Sequence, residues 1–287
     1  MNATCLSCHF QKQVETALSL GDEATATAFA KELLQSYLSA PEDAASPYFG
    51  PIVTALFEKY YDISDDVRYA REKQASNAFV LSRMEDIRSR VQQQEDPVYA
   101  GLQFSILGNY LDFSALKGQI SFEKLEEMLS FGLQMELDRD CYSRLCRDLK
   151  KGKRLLYLTD NAGEIGFDRI FAEEIQKKYP HLEITFCVRG GPAMNDATRE
   201  DAEIVGVPFP VIDNGSCHAG TILSELGPAA KTAIDEADVI LSKGMGNVET
   251  LYGCGYNIYF AFLVKCQHFI NLFQKPFMTP MLVSERK

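Results

Sequence analysis

Two pairs of acidic and amide residues in the second half of the chain have the types and positions expected of a metal site. Asp160-Asn161 follows the apolar run 155–159, and Asn195-Asp196 lies in the loop after the apolar run 184–188. Each run is typical of a buried strand, and α/β sheets place ligand sites beyond the carboxyl ends of parallel strands. Carboxylate and amide oxygens are hard ligands that suit Mg²⁺ or Mn²⁺. The pattern therefore predicts a metal-dependent enzyme that acts on an anionic group such as a phosphate.

The first loop has four residues of interest. Asp160 can bind a cation directly, and the side-chain oxygen of Asn161 can be a second ligand. Gly163 leaves the backbone open to close approach by a ligand, and Glu164 begins a helix whose N-terminus favours anions. The alternative is that Asp160 or Asn161 only caps this helix. An isolated Asp-Asn pair would favour capping, but the second pair makes a shared metal site the stronger interpretation.

The loop after the second strand combines a cation with an acidic residue. Arg189 directly follows the strand, where a guanidinium can bind a phosphate through two hydrogen bonds. The turn 190–192 leaves amide groups available to a ligand. Asp196 is the next predicted metal ligand, although residues 196–200 also resemble a helix start, so capping is again the alternative.

A third loop adds the cation that a phosphoryl oxygen needs. Lys243, Gly244 and Asn247 follow the apolar run 239–242 and resemble a phosphate cradle, although the Walker A pattern is absent. A Lys-Gly turn on its own would usually be only a turn. Lys265 follows another apolar run and is predicted either to be a cation at the rim of the cleft or to be a solvated strand end.

Three other polar segments give weaker signals. Asn109 and Asp112 lie among apolar neighbours and are predicted either to reach the cleft from the helical half or to make core hydrogen bonds. The segment 213–220 favours an ordinary turn near the same cleft. Cys5-Leu6-Ser7-Cys8-His9 formally matches the haem-c attachment pattern, yet one Cys-x-x-Cys supplies only half of a zinc site. A structural helix start is the favoured interpretation there.

Composition narrows the class of protein. The net charge of −11 over 287 residues argues against a nucleic-acid-binding surface, but it allows a phosphate substrate because a few local cations set the field of one cleft. No stretch reaches the roughly 18 uncharged apolar residues of a membrane span. With no secretion signal at the first residues, the eight scattered cysteines are expected to be reduced thiols in a cytoplasm. No pattern predicts an oligomeric state.

The chain divides into two parts with different hydrophobic patterns. Residues 1–150 are predicted to be helical, with helices starting at 64–66, after Asp96-Pro97 and at 121–124. From residue 153 onward, short apolar runs alternate with helical segments, as βαβ units require. We predict an α/β fold, with a Rossmann-like, doubly wound, mainly parallel sheet over 151–287 and a helical N-terminal region on the substrate side over 1–150. The predicted strands are 155–159, 184–188, 210–212, 239–242 and 259–264.

Taken together, these segments resemble the DUF89 family of metal-dependent damage-control phosphatases, which have the ARMT1-like fold. The resemblance spans nearly the whole chain, and its Cys-x-x-Cys start and short length are similar to the stand-alone, mainly prokaryotic branch. One departure is Asp65-Asp66-Val67, where the family pattern reads Asp-Pro-Tyr, and it affects only local substrate contacts. The resembling segments are Cys5-x-x-Cys8, Asp65 with Lys73 and Asn77, Gly108-Asn109 with Asp112, 159–164, 189–192 with 195–198, and Lys243-Gly244 with Asn247 and Glu249.

The resemblance implies a divalent cation (Mg²⁺, Mn²⁺, Co²⁺ or Ni²⁺) held by Asp160, Asn161 and Asp196. It also implies hydrolysis of phosphate monoesters of small metabolites, such as sugar phosphates or damaged phosphometabolites. In our hypothesis, Lys243 and Arg189 neutralise the charge that grows in the transition state. The nucleophile is either a water oriented by one of the two aspartates or Asp160 itself.

Two other functions fit parts of this pattern. A methyltransferase that uses S-adenosylmethionine, or a dinucleotide enzyme, also has a Rossmann-like sheet, but the turn after the first strand here lacks Gly-x-Gly-x-x-Gly. A non-enzymatic protein that binds a metal or a sugar phosphate would use the same residues without turnover. Release of phosphate separates these alternatives.

Overall fold

The first half of the chain is built from helices in the computed structural model, which describes residues 1–111, 127 and 129–285. Asp112 and the predicted helix start at 121–124 lie outside the described residues. Within those residues, no helix combines the length and apolar composition that crossing a membrane requires. The helices of this half with described ends are α1 (Ala3–Leu20), α2 (Glu23–Ser39), α3 (Gly50–Tyr61), α4 (Asp65–Gln92), α5 (Pro97–Gly108) and α6 (Arg139–Lys151), with 3-10 turns at Ser46–Phe49, Asn109–Leu111 and Gly132–Gln134.

The second half alternates strands and helices around one sheet. Its strands run in the spatial order β3-β2-β1-β4-β5-β6. The first five pair in parallel, and β6 is an antiparallel edge. The elements are β1 (Arg154–Leu158), α7 (Glu164–Lys178), β2 (Glu183–Val188), α8 (Arg199–Ile204), β3 (Val211–Asp213), a 3-10 turn (Leu223–Glu225), α9 (Pro228–Glu236), β4 (Val239–Lys243), α10 (Gly244–Leu251), β5 (Ile258–Leu263), α11 (Gln267–Phe273) and β6 (Pro280–Val283).

This strand order confirms the predicted Rossmann-like α/β fold. The chain moves from β1 to β2 on one side and returns to β4 on the other, so the order reverses between β1 and β4. Ligand sites of open α/β sheets lie in the crevice beyond such a switch point. Leu158 pairs with Ser242 near the ends of the two strands. The residues that directly follow β1 and β4 therefore open into one crevice.

Apolar residues on both faces of the central strands build two buried layers. Leu155 and Tyr157 of β1 face a cluster that includes α5, α6 and α7. Leu156 and Leu158 face a second cluster with α9, α10 and α11. Parallel strands covered on both faces read as continuous apolar runs, which is why the sequence located β1 and β4 well. Because α5 and α6 belong to the core of the sheet, that core crosses residue 150, and a domain division there stays a prediction.

Helix α4 packs closely on α7 at two glycines. An added Cβ on Gly163 would lie 2.8 Å from the Cβ of Ser76, and one on Gly166 would lie 2.5 Å from Val80. The backbone N–H of Gly163 donates to Asn77 Oδ1 at 2.7 Å. The backbone at Gly163 is thus open to close approach, as predicted, but the group that approaches it is helix α4 rather than a ligand.

Replacing Gly163 by Ala should destabilise the fold by about 2–4 kcal/mol, since the new Cβ would overlap α4 and Gly163 has φ +76°. Urea unfolding followed by circular dichroism measures this. Gly253→Ala is the matched control, because Gly253 has φ +90° and nothing within 4 Å of an added Cβ. The control should be destabilised only by backbone strain, by about 1–2 kcal/mol. Equal losses in the two variants would contradict the packing role.

Candidate active site

The loops after β1 and β2 are joined edge to edge. Asn161 and Asp196 form an isolated antiparallel bridge, and the N–H of Ala197 donates to the carbonyl of Asp160 at 2.7 Å. The structure therefore brings the three predicted metal ligands, Asp160, Asn161 and Asp196, side by side. Their role as ligands stays a prediction.

These three residues line a cleft of about 430 Å³. Loops of the sheet half form its floor. Helices α1 and α4, together with the turn after α5, form walls from the helical half. The predicted site residues that line the cleft are Asn109, Asp160, Asn161, Asp196 and Lys265.

Gly244 makes room for the carboxylate of Asp160. Its φ is +76°, and a Cβ added there would lie 2.0 Å from the Asp160 carboxyl carbon. The N-terminus of α10 therefore abuts an anion, which the helix dipole stabilises. Gly244 was predicted to belong to a phosphate cradle, but in this geometry the group it accommodates is a protein carboxylate.

Asp160 and Glu164 share two amide donors. Asn109 Nδ2 donates to Asp160 Oδ2 at 2.8 Å and to Glu164 Oε2 at 2.9 Å. Asn161 Nδ2 donates to the same two oxygens at 2.7 and 2.8 Å. Ionised carboxylates only accept hydrogen bonds, so both amides must present their nitrogens here. We call these four side chains the amide clamp.

Lys243 lies behind the amide clamp and outside the cleft. It is fully buried, and its Nζ donates to Glu164 Oε1 at 2.7 Å, to Asp168 Oδ1 at 2.9 Å and to the carbonyl of Ser105 at 2.8 Å. An ammonium has three N–H donors, so none remains for a phosphoryl oxygen. The predicted contact between Lys243 and phosphate does not fit this geometry.

Charge balance keeps this buried cluster ionised. Burial lowers the pKa of Lys243, but Asp168 and Glu164 outweigh burial and raise it above its usual value. Burial raises the pKa of Asp168 to about 6, although the charge of Lys243 opposes the shift. Lys243 is therefore the counter-charge that allows two carboxylates to remain under the site.

Glu164 and Asn247 were predicted to contact phosphate, but both are fully buried. The two oxygens of Glu164 are occupied by Lys243 and the two amides. Asn247 Nδ2 donates to the carbonyls of Thr159 and Lys243 at 3.1 and 2.8 Å. These side chains tie the loops together, and neither has an exposed group that would meet a phosphate.

Arg189 holds Asp196 in place. Its Nε donates to Asp196 Oδ2 at 2.6 Å, and its Nη1 donates to Asn247 Oδ1 at 3.2 Å and to Thr221 Oγ1 at 3.4 Å. Arg189 is 2% exposed. Its Nη2 has no partner among the described residues, so any contact with a phosphate would have to use that one group.

Lys265 is the predicted cation whose side chain lines the cleft. Its Nζ donates to the carbonyl of Asn109 at 2.5 Å. This contact places the ammonium beside the amide clamp, on the side of the cleft. Of the two alternatives for Lys265, the geometry favours a cation in the cleft over a solvated strand end.

Sequence reasoning missed Arg68 of helix α4, which lines the cleft with Asp65. Arg68 Nη1 donates to Asp65 Oδ1 at 2.9 Å, and the guanidinium lies 3.9 Å from the ring centroid of Phe57. Asp65 Oδ2 accepts from the N–H of Met194 at 3.0 Å. A signal was present, because residues three apart on a predicted helix share one face.

Farther along α4, two polar residues tie this helix to the sheet half. Asn77 Nδ2 donates to Asp201 Oδ1 at 2.8 Å, and Lys73 Nζ lies 2.7 Å from Asp201 Oδ2. Asn77 also receives the N–H of Gly163. The resemblance singled out Lys73 and Asn77 without a role, and both position the loops around the cleft.

The N-terminal Cys-x-x-Cys-His segment also reaches this cleft, where it lies on the first turns of α1. Helix α1 begins at Ala3, and Asn2 caps it by accepting from the N–H of Cys5 at 2.8 Å. His9 Nδ1 lies 2.6 Å from Tyr37 Oη, and burial lowers the pKa of His9 to about 4. The segment is a structural helix start, as favoured from the sequence, and it also forms part of the wall.

The polar side chains at the floor fit a hard divalent cation. Among the described residues, no three His, Cys, Asp or Glu side chains are grouped as a metal site. A cation here would therefore need amide oxygens in addition to Asp160 and Asp196. The amides of Asn109 and Asn161 use their nitrogens in the clamp, so their oxygens take no part in it. Two carboxylates with amide oxygens suit Mg²⁺ or Mn²⁺.

Comparison with known proteins identifies the family. The model of the damage-control phosphatase ARMT1-like domain matches residues 1–277. The chain belongs to this family. The predicted membership in the DUF89 damage-control phosphatases is confirmed, and this family is one of phosphatases.

Individual relatives agree with the family model. The chain is 32% identical to a damage-control phosphatase of Archaeoglobus fulgidus over 242 residues, which are 83% of this chain and 81% of the relative. It is 30% identical to a damage-control phosphatase of Pyrococcus horikoshii over 267 residues, which are 92% and 89% of the two chains. It is also 37% identical to an uncharacterised protein of Methanocaldococcus jannaschii over 216 residues, 73% of this chain and 69% of the relative.

A solved structure has the same architecture. The crystal structure of a DUF89 family protein from Pyrococcus horikoshii superposes with a TM-score of 0.83 at 27% sequence identity. The match covers 100% of this chain and 99% of that chain.

Glu249 in the cleft wall should make stability depend on pH. Burial raises its pKa from 4.5 to about 7, although the N–H of Ser46 opposes the shift. An acid with a raised folded-state pKa favours folding fully only below its unfolded value, and this contribution is lost as pH rises through the folded pKa. Glu249→Gln should therefore gain stability relative to the parent between pH 5 and pH 8, by at most about 3 kcal/mol.

Urea unfolding at several pH values measures this difference. Glu42→Gln is the control for the loss of an exposed carboxylate. A difference for Glu249→Gln that does not change with pH would show that folding does not raise the pKa of Glu249.

Proposed function

We propose that this chain is a metal-dependent phosphatase that hydrolyses phosphate monoesters of small metabolites, such as sugar phosphates or damaged phosphometabolites. A divalent cation (Mg²⁺, Mn²⁺, Co²⁺ or Ni²⁺) would be held by Asp160, Asn161 and Asp196. The observation that carries the proposal is the juxtaposition of these three residues in the crevice beyond β1 and β4. Membership in a phosphatase family supports this function over the methyltransferase alternative.

The protein fixes both carboxylates before substrate binds. Asp196 is held by the guanidinium of Arg189, and Asp160 is held by the two amides and the N-terminus of α10. Charges that are fixed in advance need no reorganisation during the reaction. When bound, a divalent cation supplies positive charge that polarises and neutralises phosphoryl oxygens.

The contacts of Asp160 favour water as the nucleophile. One oxygen of Asp160 accepts hydrogen bonds from both Asn109 and Asn161. Hydrogen bonds to the charged form stabilise it, and a stabilised anion attacks phosphorus less readily. In this proposal, Asp160 or Asp196 orients a water for attack, and the aspartyl-phosphate route through Asp160 is the less favoured alternative.

Lys265 is the cation that we assign to the phosphoryl group. Its side chain lines the cleft together with Asp160, and Arg68 of helix α4 lines the same cleft. Lys243 and Arg189 act through Glu164 and Asp196 instead of touching substrate. Lys265, rather than Lys243 or Arg189, would then neutralise the charge of the transition state in the same reaction.

Asp196→Asn should abolish metal-dependent phosphate release while the protein stays folded, since the variant loses one of the two carboxylates that we propose as metal ligands. The assay measures phosphate release from a panel of sugar phosphates and an aryl phosphate after chelation and readdition of each of the four metals. Asp213→Asn is the control, because Asp213 pairs with Arg199 and does not line the cleft. Wild-type turnover in Asp196→Asn would end the proposal.

The assay also tests the non-enzymatic alternative. Folded wild-type protein that binds the metal but releases no phosphate from any substrate would identify a binding protein. Metal-dependent release that survives in Asp213→Asn and is lost in Asp196→Asn would support the phosphatase function.

The two lysines should respond differently to replacement by methionine. Lys265→Met should lower kcat by roughly 100-fold, because it removes a charge that acts in the transition state. It should also lower the free energy of unfolding by about 1–3 kcal/mol, because the carbonyl of Asn109 loses its donor. Lys243→Met should destabilise the fold by about 3–5 kcal/mol, because it leaves Glu164 and Asp168 buried without a counter-charge. Steady-state kinetics and urea unfolding provide the two measurements.

Lys231→Met is the control for the loss of one positive charge, since Lys231 is largely exposed. A normal kcat in Lys265→Met, together with a stable Lys243→Met of low kcat, would return the catalytic role to Lys243.

A further inference from the structure

Asn109 joins the wall from the helical half to the floor of the cleft. It begins the 3-10 turn that follows α5 and is 1% exposed. Its nitrogen is committed to Asp160 and Glu164. Its oxygen Oδ1 is buried and has no hydrogen-bond partner among the described residues.

The orientation of this amide follows from chemistry. If the side-chain amide of Asn109 were flipped, its oxygen would face one oxygen of Asp160 and one of Glu164, and an ionised carboxylate cannot donate a hydrogen bond. The unpartnered atom is therefore the oxygen. Leaving a buried amide oxygen unpaired destabilises the folded protein. In native proteins such an atom calls for an explanation, and a bound ion or water is the usual one.

The surroundings of Asn109 favour an ion. Asp160, which shares its hydrogen bond, is one of the three proposed metal ligands, and Asn161 makes the same pair of contacts as Asn109. The atom is a hard oxygen beside a carboxylate, which is the donor type that Mg²⁺ and Mn²⁺ prefer. This oxygen is buried, and a metal ion approaches an oxygen ligand more closely than a water molecule does.

We propose that Asn109 Oδ1 is a further ligand of the divalent cation at Asp160, Asn161 and Asp196. This inference rests on the proposed function only in requiring that a divalent cation binds in this cleft. The metal site would then include a ligand from the helical half, and it would be complete only when the end of α5 is docked on the loop after β1.

The buried Lys243–Glu164 pair sets the orientation of this ligand. Glu164 Oε1 accepts from Lys243, and Glu164 Oε2 accepts from the amides of Asn109 and Asn161. Lys243 therefore acts on two amides through one carboxylate. Groups behind metal ligands commonly fix ligand orientation in this way. Lys243 and Glu164 are positioning residues in this proposal.

Binding of Mn²⁺ to the full chain, followed by the electron paramagnetic resonance signal of the free ion, tests the ligand without reference to turnover. Asn109→Ala should weaken Mn²⁺ binding 10-fold to 100-fold or more. Asn109→Asp keeps an oxygen at this position but sets a third carboxylate against Asp160 and Glu164. It should therefore be less stable than the parent without metal, and it should bind Mn²⁺ more tightly than Asn109→Ala, because only Asn109→Asp keeps an oxygen ligand and a bound cation relieves the repulsion.

Asn257→Ala is the matched control. Asn257 is 8% exposed, its Oδ1 also has no partner among the described residues, and its Nδ2 donates to Asp148. It precedes β5 and so lies at the opposite end of the sheet from the cleft. Its substitution should leave Mn²⁺ affinity unchanged, and urea unfolding of all variants confirms that each one is folded.

The outcomes separate this inference from the proposed function. If the parent chain binds no divalent cation, the proposed function fails. If the parent binds Mn²⁺ and Asn109→Ala binds it equally well, with only KM raised, the oxygen faces the substrate and the inference is wrong. Asn109→Asp as weak as Asn109→Ala, or an equal loss in Asn257→Ala, would also overturn it.

Discussion

The buried ion pair between Lys243 and Glu164 is the interaction on which the site depends. Removing two charges from water is unfavourable, and their attraction offsets this only when the remaining donors and acceptors are satisfied. Here the three N–H groups of Lys243 donate to Glu164, Asp168 and Ser105. These four residues come from β4, α7 and α5, so one ammonium ties the sheet, the helix after β1 and the helical half together. The amide clamp rests on this pair.

This constraint explains why several residues predicted to touch phosphate lie behind the site. Apolar strand-sized runs and their polar ends identified the three loops and the edge of the sheet where they meet. Whether a side chain faces the cleft or the core depends on partners far away in sequence, such as Ser105 for Lys243. Lys265, rather than Lys243, lines the cleft because Lys243 is matched by two buried carboxylates. A single sequence does not contain those pairings.

The fold could be predicted further than the site for a related physical reason. Strands covered on both faces are continuous apolar runs, so β1, β4 and β5 were placed to within about one residue. The antiparallel edge β6 was missed, because its short segment Pro280–Val283 has no distinctive pattern. Gly163 is a further example. A glycine at this position correctly predicted that another group approaches the backbone closely, but only the structure shows that this group is helix α4.

The helical half contributes hydrogen bonds to the loops of the site as well as walls to the cleft. Asn109 donates to Asp160 in the amide clamp, Asp65 accepts from the N–H of Met194 in the loop after β2, and Asn77 accepts from the N–H of Gly163. Each contact crosses between the helices and a loop that carries a proposed metal ligand. The arrangement of those ligands therefore depends on docking of the helices. Since α4 and the turn after α5 also line the cleft, the proposed metal site would share these elements with the pocket for the substrate.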